Sequence, residues 1–100
     1  MAGFIQLIEI QTSRYDDIQA LVDDYRDQTA SGNSARRSTV TEDRDRPGTY
    51  INIVEFDSYD SAMANSQRPE TAVFAEQLAK LCDVPPTFRN LDVRKVIDLT

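Results

Sequence analysis

Asn52 is the residue in this 100-residue chain whose setting most suggests chemistry. It sits within Tyr50-Ile51-Asn52-Ile53-Val54-Glu55-Phe56, an alternating run rich in apolar residues, where an amide is disfavoured. A buried amide without partners costs about 1–3 kcal/mol. Asn52 therefore either bonds neighbouring backbone or a dimer interface, or it lines a ligand cavity. Strand alternation puts Tyr50, Asn52, Val54 and Phe56 on one face and Ile51, Ile53 and Glu55 on the other. Tyr25 offers a second hydroxyl, either packed in a core or turned into a cavity. Arg94 and Lys95 read as ion-pair partners of Glu55 or Glu9, or as charges steering an anionic or phenolate ligand. Gln6 and Glu9 are candidates only through proximity in the expected sheet. Glu55, opposite in face to Asn52, reads as an interface carboxylate rather than a general base.

The composition excludes much else. The sequence has no histidine, which removes histidine-based triads, a proximal-histidine haem site and most zinc sites. The three glycines are scattered, so no phosphate-binding loop is present. Cys82 is the single cysteine and reads as a buried small hydrophobe. A net charge of −6 argues against nucleic acid and anionic membranes as partners. Arg36, Arg37, Arg44 and Arg46 are the nearest thing to a basic patch, and Glu42, Asp43 and Asp45 neutralise it. Asp16, Asp17, Asp23, Asp24 and Asp27 read as a solvated helix face rather than a calcium site. No apolar run reaches transmembrane length and no signal peptide is read at the N-terminus, so a reduced, cytoplasmic protein is expected.

The elements that must position these residues follow from periodicity. Phe4 to Gln11 is a first strand with apolar residues on both faces. Ser13 and Asp16 form an apparent capping box opening a helix. Its stripe is Ile18, Leu21, Val22 and Tyr25. Gly32 or Asn33 suits the helix stop. Ala35 to Glu42 and Thr49 to Phe56 form a hairpin across the turn Asp43 to Gly48. Asp57-Ser58 caps a short helix through Ala62, Met63 and Ala64. Pro69 opens a second main helix whose buried stripe is Phe74, Leu78, Leu81 and Cys82. Pro85-Pro86 ends it, and Asn90 to Leu99 alternates as a fourth strand. The order β-α-β-β-α-β predicts a single ferredoxin-like α+β domain, an antiparallel sheet with two helices on one face. The helices cover one face only, so the other needs a second copy, predicting a homodimer.

The run Tyr50 to Ser58, followed by Ala62-Met63 and later Phe74, resembles the antibiotic biosynthesis monooxygenase family of dimeric α/β barrels. The element order agrees from about Phe4 to Leu99. Within that family it is most similar to small cofactor-independent oxygenases that turn polyketide anthrones into quinones. Those carry an asparagine on this strand and a tryptophan four residues later; Asn52 and Phe56 stand at these positions. The resemblance implies a cavity between sheet and helices. There an aromatic, phenolic substrate would be deprotonated and would reduce dioxygen without flavin or metal. It makes Asn52 the catalytic candidate and Tyr25, Tyr50, Phe56 and Arg94 the substrate-binding candidates. Phenylalanine lacks the tryptophan N–H, and the histidine of other members is missing. A non-catalytic dimeric barrel that binds a small apolar ligand, or serves as an interaction module, is the alternative.

Overall fold

The computed structural model describes residues 3–29 and 34–100. The elements are β1 (Phe4–Gln11), α1 (Tyr15–Gln28), β2 (Ala35–Glu42), β3 (Thr49–Phe56), α2 (Tyr59–Ser66), α3 (Pro69–Leu81) and β4 (Thr87–Asp92). Among the described residues they build one antiparallel sheet in the order β2-β3-β1-β4. The ferredoxin-like arrangement predicted from the pattern is what the chain adopts, with its second helical segment split into α2 and α3.

The register explains how one face becomes a core. Phe4, Gln6, Ile8 and Ile10 of β1 stand opposite Phe56, Val54, Asn52 and Tyr50 of β3. In β2, Ser38, Val40 and Glu42 stand opposite Val54, Asn52 and Tyr50. All of these share a face, since directly opposed residues point the same way. A shift in register between Ala35 and Arg37 bends the start of β2.

The helices close over this face in two places. At one end Phe4, Phe56 and Ala62 form a buried cluster with Ala35, Val54 and Met63 against it. Ser58 caps α2, its hydroxyl accepting from the Ser61 N–H at 3.1 Å. Arg36 binds the Asp57 carboxylate just before that cap. At the other end Ile10, Ile18 and Leu78 form the second cluster, joined by Leu21, Val22, Tyr50, Phe74 and Leu81.

Three local expectations are corrected. The fourth strand is Thr87–Asp92, not Asn90 to Leu99. It pairs antiparallel with β1 until Asp92 meets Phe4, and Val93 then donates its N–H to the Gly3 carbonyl at 3.1 Å. Beyond that point β1 offers no further residues, so the alternation of 93–99 has nothing to pair with. Ser13 does not cap α1, whose N-cap is Arg14 with no side-chain cap bond. The neighbouring Thr12 is the buried hydroxyl instead: it accepts from the Arg14 N–H at 2.9 Å and donates to the Leu81 carbonyl at 2.7 Å. The carboxylates assigned to Arg94 and Lys95 pair elsewhere: Glu55 with Arg37 at 3.6 Å, and Glu9 with Arg46 at 3.5 Å. The helix stop expected at Gly32 or Asn33 lies outside the described residues.

The other sheet face carries Ile5, Leu7, Ile51, Ile53 and Leu91, and no helix among the described residues lies on it. Gly48, at φ 87°, supplies the left-handed turn between β2 and β3. Its carbonyl accepts from the Thr12 N–H at 3.0 Å, which ties that turn to the end of β1. No helix among the described residues is long and apolar enough to cross a membrane.

Candidate functional site

The second cluster does not fill its end of the sheet. A hollow remains between β1, β2 and β3 on one side and α1 and α3 on the other. It is lined by apolar side chains, among them Ile8, Ile18, Val22 and Phe74, together with Tyr15, Gln19, Tyr50 and Asn52. The enclosed part is about 30 Å³, and the whole hollow with its open mouth spans about 430 Å³. Binding sites for ring-sized molecules typically enclose roughly 300–1,000 Å³. A planar ligand therefore enters only if the side chains at the mouth swing out.

Two of the lining side chains, Tyr15 and Tyr50, stack on each other, with ring centroids 4.5 Å apart and planes 20° from parallel. Helix α1 presents Tyr15 because Tyr15, Ile18 and Val22 recur at i, i+3 and i+7 on one side. Strand β3 presents Tyr50 two residues before Asn52, hence on the same face. Partial burial first, then the charge of the nearby Glu42 carboxylate, pushes the Tyr50 phenol above its ordinary value. Tyr50 is thus a neutral hydroxyl at physiological pH.

Asn52 is half-buried. Its Oδ1 accepts from the Ser38 hydroxyl across the hairpin at 2.7 Å. Among the described residues no protein acceptor engages its Nδ2. The amide is therefore held by side chain rather than backbone, with donor capacity left for a guest. Chemically the hollow offers aromatic walls, one amide and phenolic hydroxyls to a flat, weakly polar molecule.

The predicted site residues are only partly brought together. Asn52 and Tyr50 line the hollow. Tyr25 stands one ring behind it, 4.4 Å from the ring of the lining residue Phe74, with its hydroxyl 2.8 Å from the Thr71 hydroxyl. Phe56 lies at the far end of the sheet, 3% exposed, in the cluster with Phe4 and Ala62. Arg94 follows β4, is exposed and is not among the lining residues. Sequence reasoning missed Tyr15, Gln19, Ser38 and Val40. Extending the α1 stripe back one turn would have found Tyr15. Pairing the hairpin through its turn would have placed Ser38 and Val40 beside Asn52. The aspartates of α1 face water, as expected.

No protein-family model matches the chain, and no curated protein matches it. Solved structures do. The monooxygenase ActVA-Orf6 of Streptomyces coelicolor, solved with nanaomycin D, has a TM-score of 0.79 at 17% identity, covering 99% of this chain and 94% of that one. SnoaB, a cofactor-independent oxygenase of Streptomyces nogalater solved as an asparagine-to-alanine variant, gives 0.76 at 14%, covering 96% and 98%. A conserved protein of Methanosarcina mazei gives 0.80 at 10%, covering 94% and 95%. The chain thus has the fold of proteins named as antibiotic biosynthesis monooxygenases, as the strand-three resemblance implied. At these identities the likeness is one of fold.

Proposed function

We propose that this chain is a small cofactor-independent monooxygenase acting on a flat phenolic molecule of polyketide type. The observation that carries this is the placement of Asn52 and Tyr50 side by side in a hollow between sheet and helices. Its support from outside the chain is that the same fold occurs in proteins named as a monooxygenase and a cofactor-independent oxygenase, the first of them solved with nanaomycin D. In this reading Tyr15 swings away from Tyr50 and the substrate takes its place. The substrate hydroxyl passes its proton to solvent water, which returns it when the product water forms; the Asn52 amide donates to the phenolate oxygen, and the Tyr25–Phe74 pair backs the aromatic wall. Dioxygen then takes electrons from the bound anion; for an anthrone, one oxygen atom becomes the quinone carbonyl and the other leaves as water.

The working form in this reading is a homodimer. Ile5, Leu7, Ile51, Ile53 and Leu91 form an apolar sheet face without a helix over it, and a second sheet is the cover of matching shape. A reduced, cytoplasmic setting belongs to the same reading, since Cys82 is the single cysteine of the sequence and pairs with no other in the chain. Binding without turnover is the second reading. It is favoured by Asn52, whose Oδ1 already has a protein partner in Ser38.

Oxygen uptake with 1,8-dihydroxyanthrone, corrected for spontaneous oxidation, tests the proposal. Catalysis requires protein-dependent uptake that falls at least tenfold in Asn52→Ala. Uptake no faster than the buffer blank refutes it, and binding alone would then leave the second reading. A sedimentation mass of one chain refutes the dimer.

A further inference from the structure

The ionisable groups that act on the Tyr50 hydroxyl at the edge of the hollow are all acidic or phenolic. Glu42 stands directly opposite Tyr50 in the β2–β3 ladder, on the helix-covered face. The Gly48 N–H donates to Glu42 Oε2 at 3.4 Å, and the same carboxylate is near enough to act on the Tyr50 hydroxyl. From the helix layer, Tyr15 stacks on Tyr50, and the next residue, Asp16, is near enough to act on the Tyr50 hydroxyl. The lining itself carries no charged side chain. Three of the four hairpin arginines are engaged elsewhere, Arg46 with Asp43 and Glu9, Arg37 with Glu55, and Arg36 with Asp57, and the fourth, Arg44, is exposed in the turn and does not line the hollow. A ligand passing Tyr15 and Tyr50 therefore meets two carboxylates and no opposing cation from the lining.

We propose that Glu42 and Asp16 form an anionic rim that makes the hollow selective for uncharged aromatic molecules bearing a hydroxyl, and that turns away carboxylated forms of the same ring system. This rests on the aromatic ligand proposed above and specifies its charge. Two features make the selection physical. A carboxylate entering a low-dielectric hollow loses hydration and finds no cation in the lining to replace it. At the mouth it also meets like charge that water screens only in part. A neutral phenol suffers neither penalty. Tyr50, neutral at the edge of the hollow, offers its oxygen as an acceptor to the entering hydroxyl.

The test is equilibrium dialysis at pH 7 and low salt with two probes on one scaffold: 1,8-dihydroxyanthraquinone, which enters neutral, and 4,5-dihydroxyanthraquinone-2-carboxylic acid, which is anionic. The wild-type chain is expected to hold the neutral compound about fivefold or more tighter, the scale of one or two partly screened like charges. That ratio should shrink in 0.5 M NaCl, because screening reaches exposed charges. It should shrink again in the double variant Glu42→Gln, Asp16→Asn, whose fold is checked by circular dichroism. Equal affinities in wild type overturn the rim. So does a preference unchanged by both salt and the double variant, which would make the discrimination one of shape. If the double variant fails to fold, the salt series on the wild-type chain decides alone. If neither compound binds wild type, the aromatic ligand itself is wrong, a result distinct from equal binding, and the rim falls with it.

Discussion

One sheet face carries two cores made from similar residues, and only one of them is closed. At the Phe4 end, Phe4 and Phe56 are 2% and 3% exposed, their rings 6.3 Å apart, and Tyr59 packs edge-on against Phe4 at 5.5 Å. Short α2 lies directly on that end, begun by the Ser58 cap. At the Ile10 end, the cover comes from two longer helices, α1 and α3. There the wall between α1 and the β2–β3 hairpin is completed by a tyrosine stack rather than by aliphatic packing. The difference teaches where adaptability resides. A ring stack can part at a cost of roughly 0.5–1.5 kcal/mol, whereas an interlocked aliphatic and aromatic cluster cannot open without losing its burial. The closed end fixes the fold; the open end is free to admit a guest.

Three measurements would break or sharpen this contrast. The largest effect is expected from Phe56→Ala, which should lower unfolding free energy by about 3–5 kcal/mol in urea, the cost of a large core cavity. Phe74→Ala, at a ring that already borders open space, should cost about half as much; equal losses would erase the distinction between the ends. Next is Tyr15→Ala. It should cost about 1 kcal/mol through the lost stack and tighten the binding of 1,8-dihydroxyanthraquinone, because the hollow is then held open. Weaker binding would mean that Tyr15 is a wall of the site rather than its door. The smallest effect concerns acid. The Arg36 guanidinium, through its hydrogen bond, holds the Asp57 carboxyl below its ordinary value. The stability this pair contributes is complete above the unfolded carboxyl value of ~3.9 and disappears as pH falls through the lower folded value. Asp57→Asn should therefore flatten the acid limb of stability against pH below about 4. A limb of unchanged slope would show that the pair contributes nothing to closing that end. Both groups are exposed, so the change is expected to be slight.

Strand faces were legible because alternation is local and the helices demand one apolar side. Phe4, Gln6, Ile8 and Ile10 could be assigned to one side from sequence alone, as could Tyr50, Asn52, Val54 and Phe56. The bounds of β4 were not, because Asn90 to Leu99 alternates well past the point where its partner strand ends. Length there is set by β1, some 80 positions away in sequence. The Ser13 capping box matched a local pattern, and the Thr12 hydroxyl that took its place is held by Leu81, a contact no short window contains. The site was half legible for a related reason. Asn52 and Tyr50 stand out on one strand. Ser38, Val40 and Glu42 acquire meaning only through the hairpin register, and Tyr15 only through the helix that crosses above it. Phe56 and Asn52 share a strand face, yet four residues of extended chain, about 13 Å, carry Phe56 into the other core.

Gly3 joins the two ends of the sheet's inner ladder. Its N–H donates to the Phe56 carbonyl at 3.0 Å, and its carbonyl accepts from the Val93 N–H at 3.1 Å. A Cβ there would come within 2.5 Å of the Asp57 carbonyl oxygen, so no other residue fits without movement. The residue before β1 and the residue after β4 are thus hydrogen-bonded neighbours, and the sheet backbone between them traces a path that is nearly a ring. Such a path can be opened at an exposed turn such as Asp43 to Gly48 and closed by a few added residues between Val93 and Gly3, leaving strand order and both cores as they are. The direction in which the chain is read is, for this architecture, separable from the shape it holds.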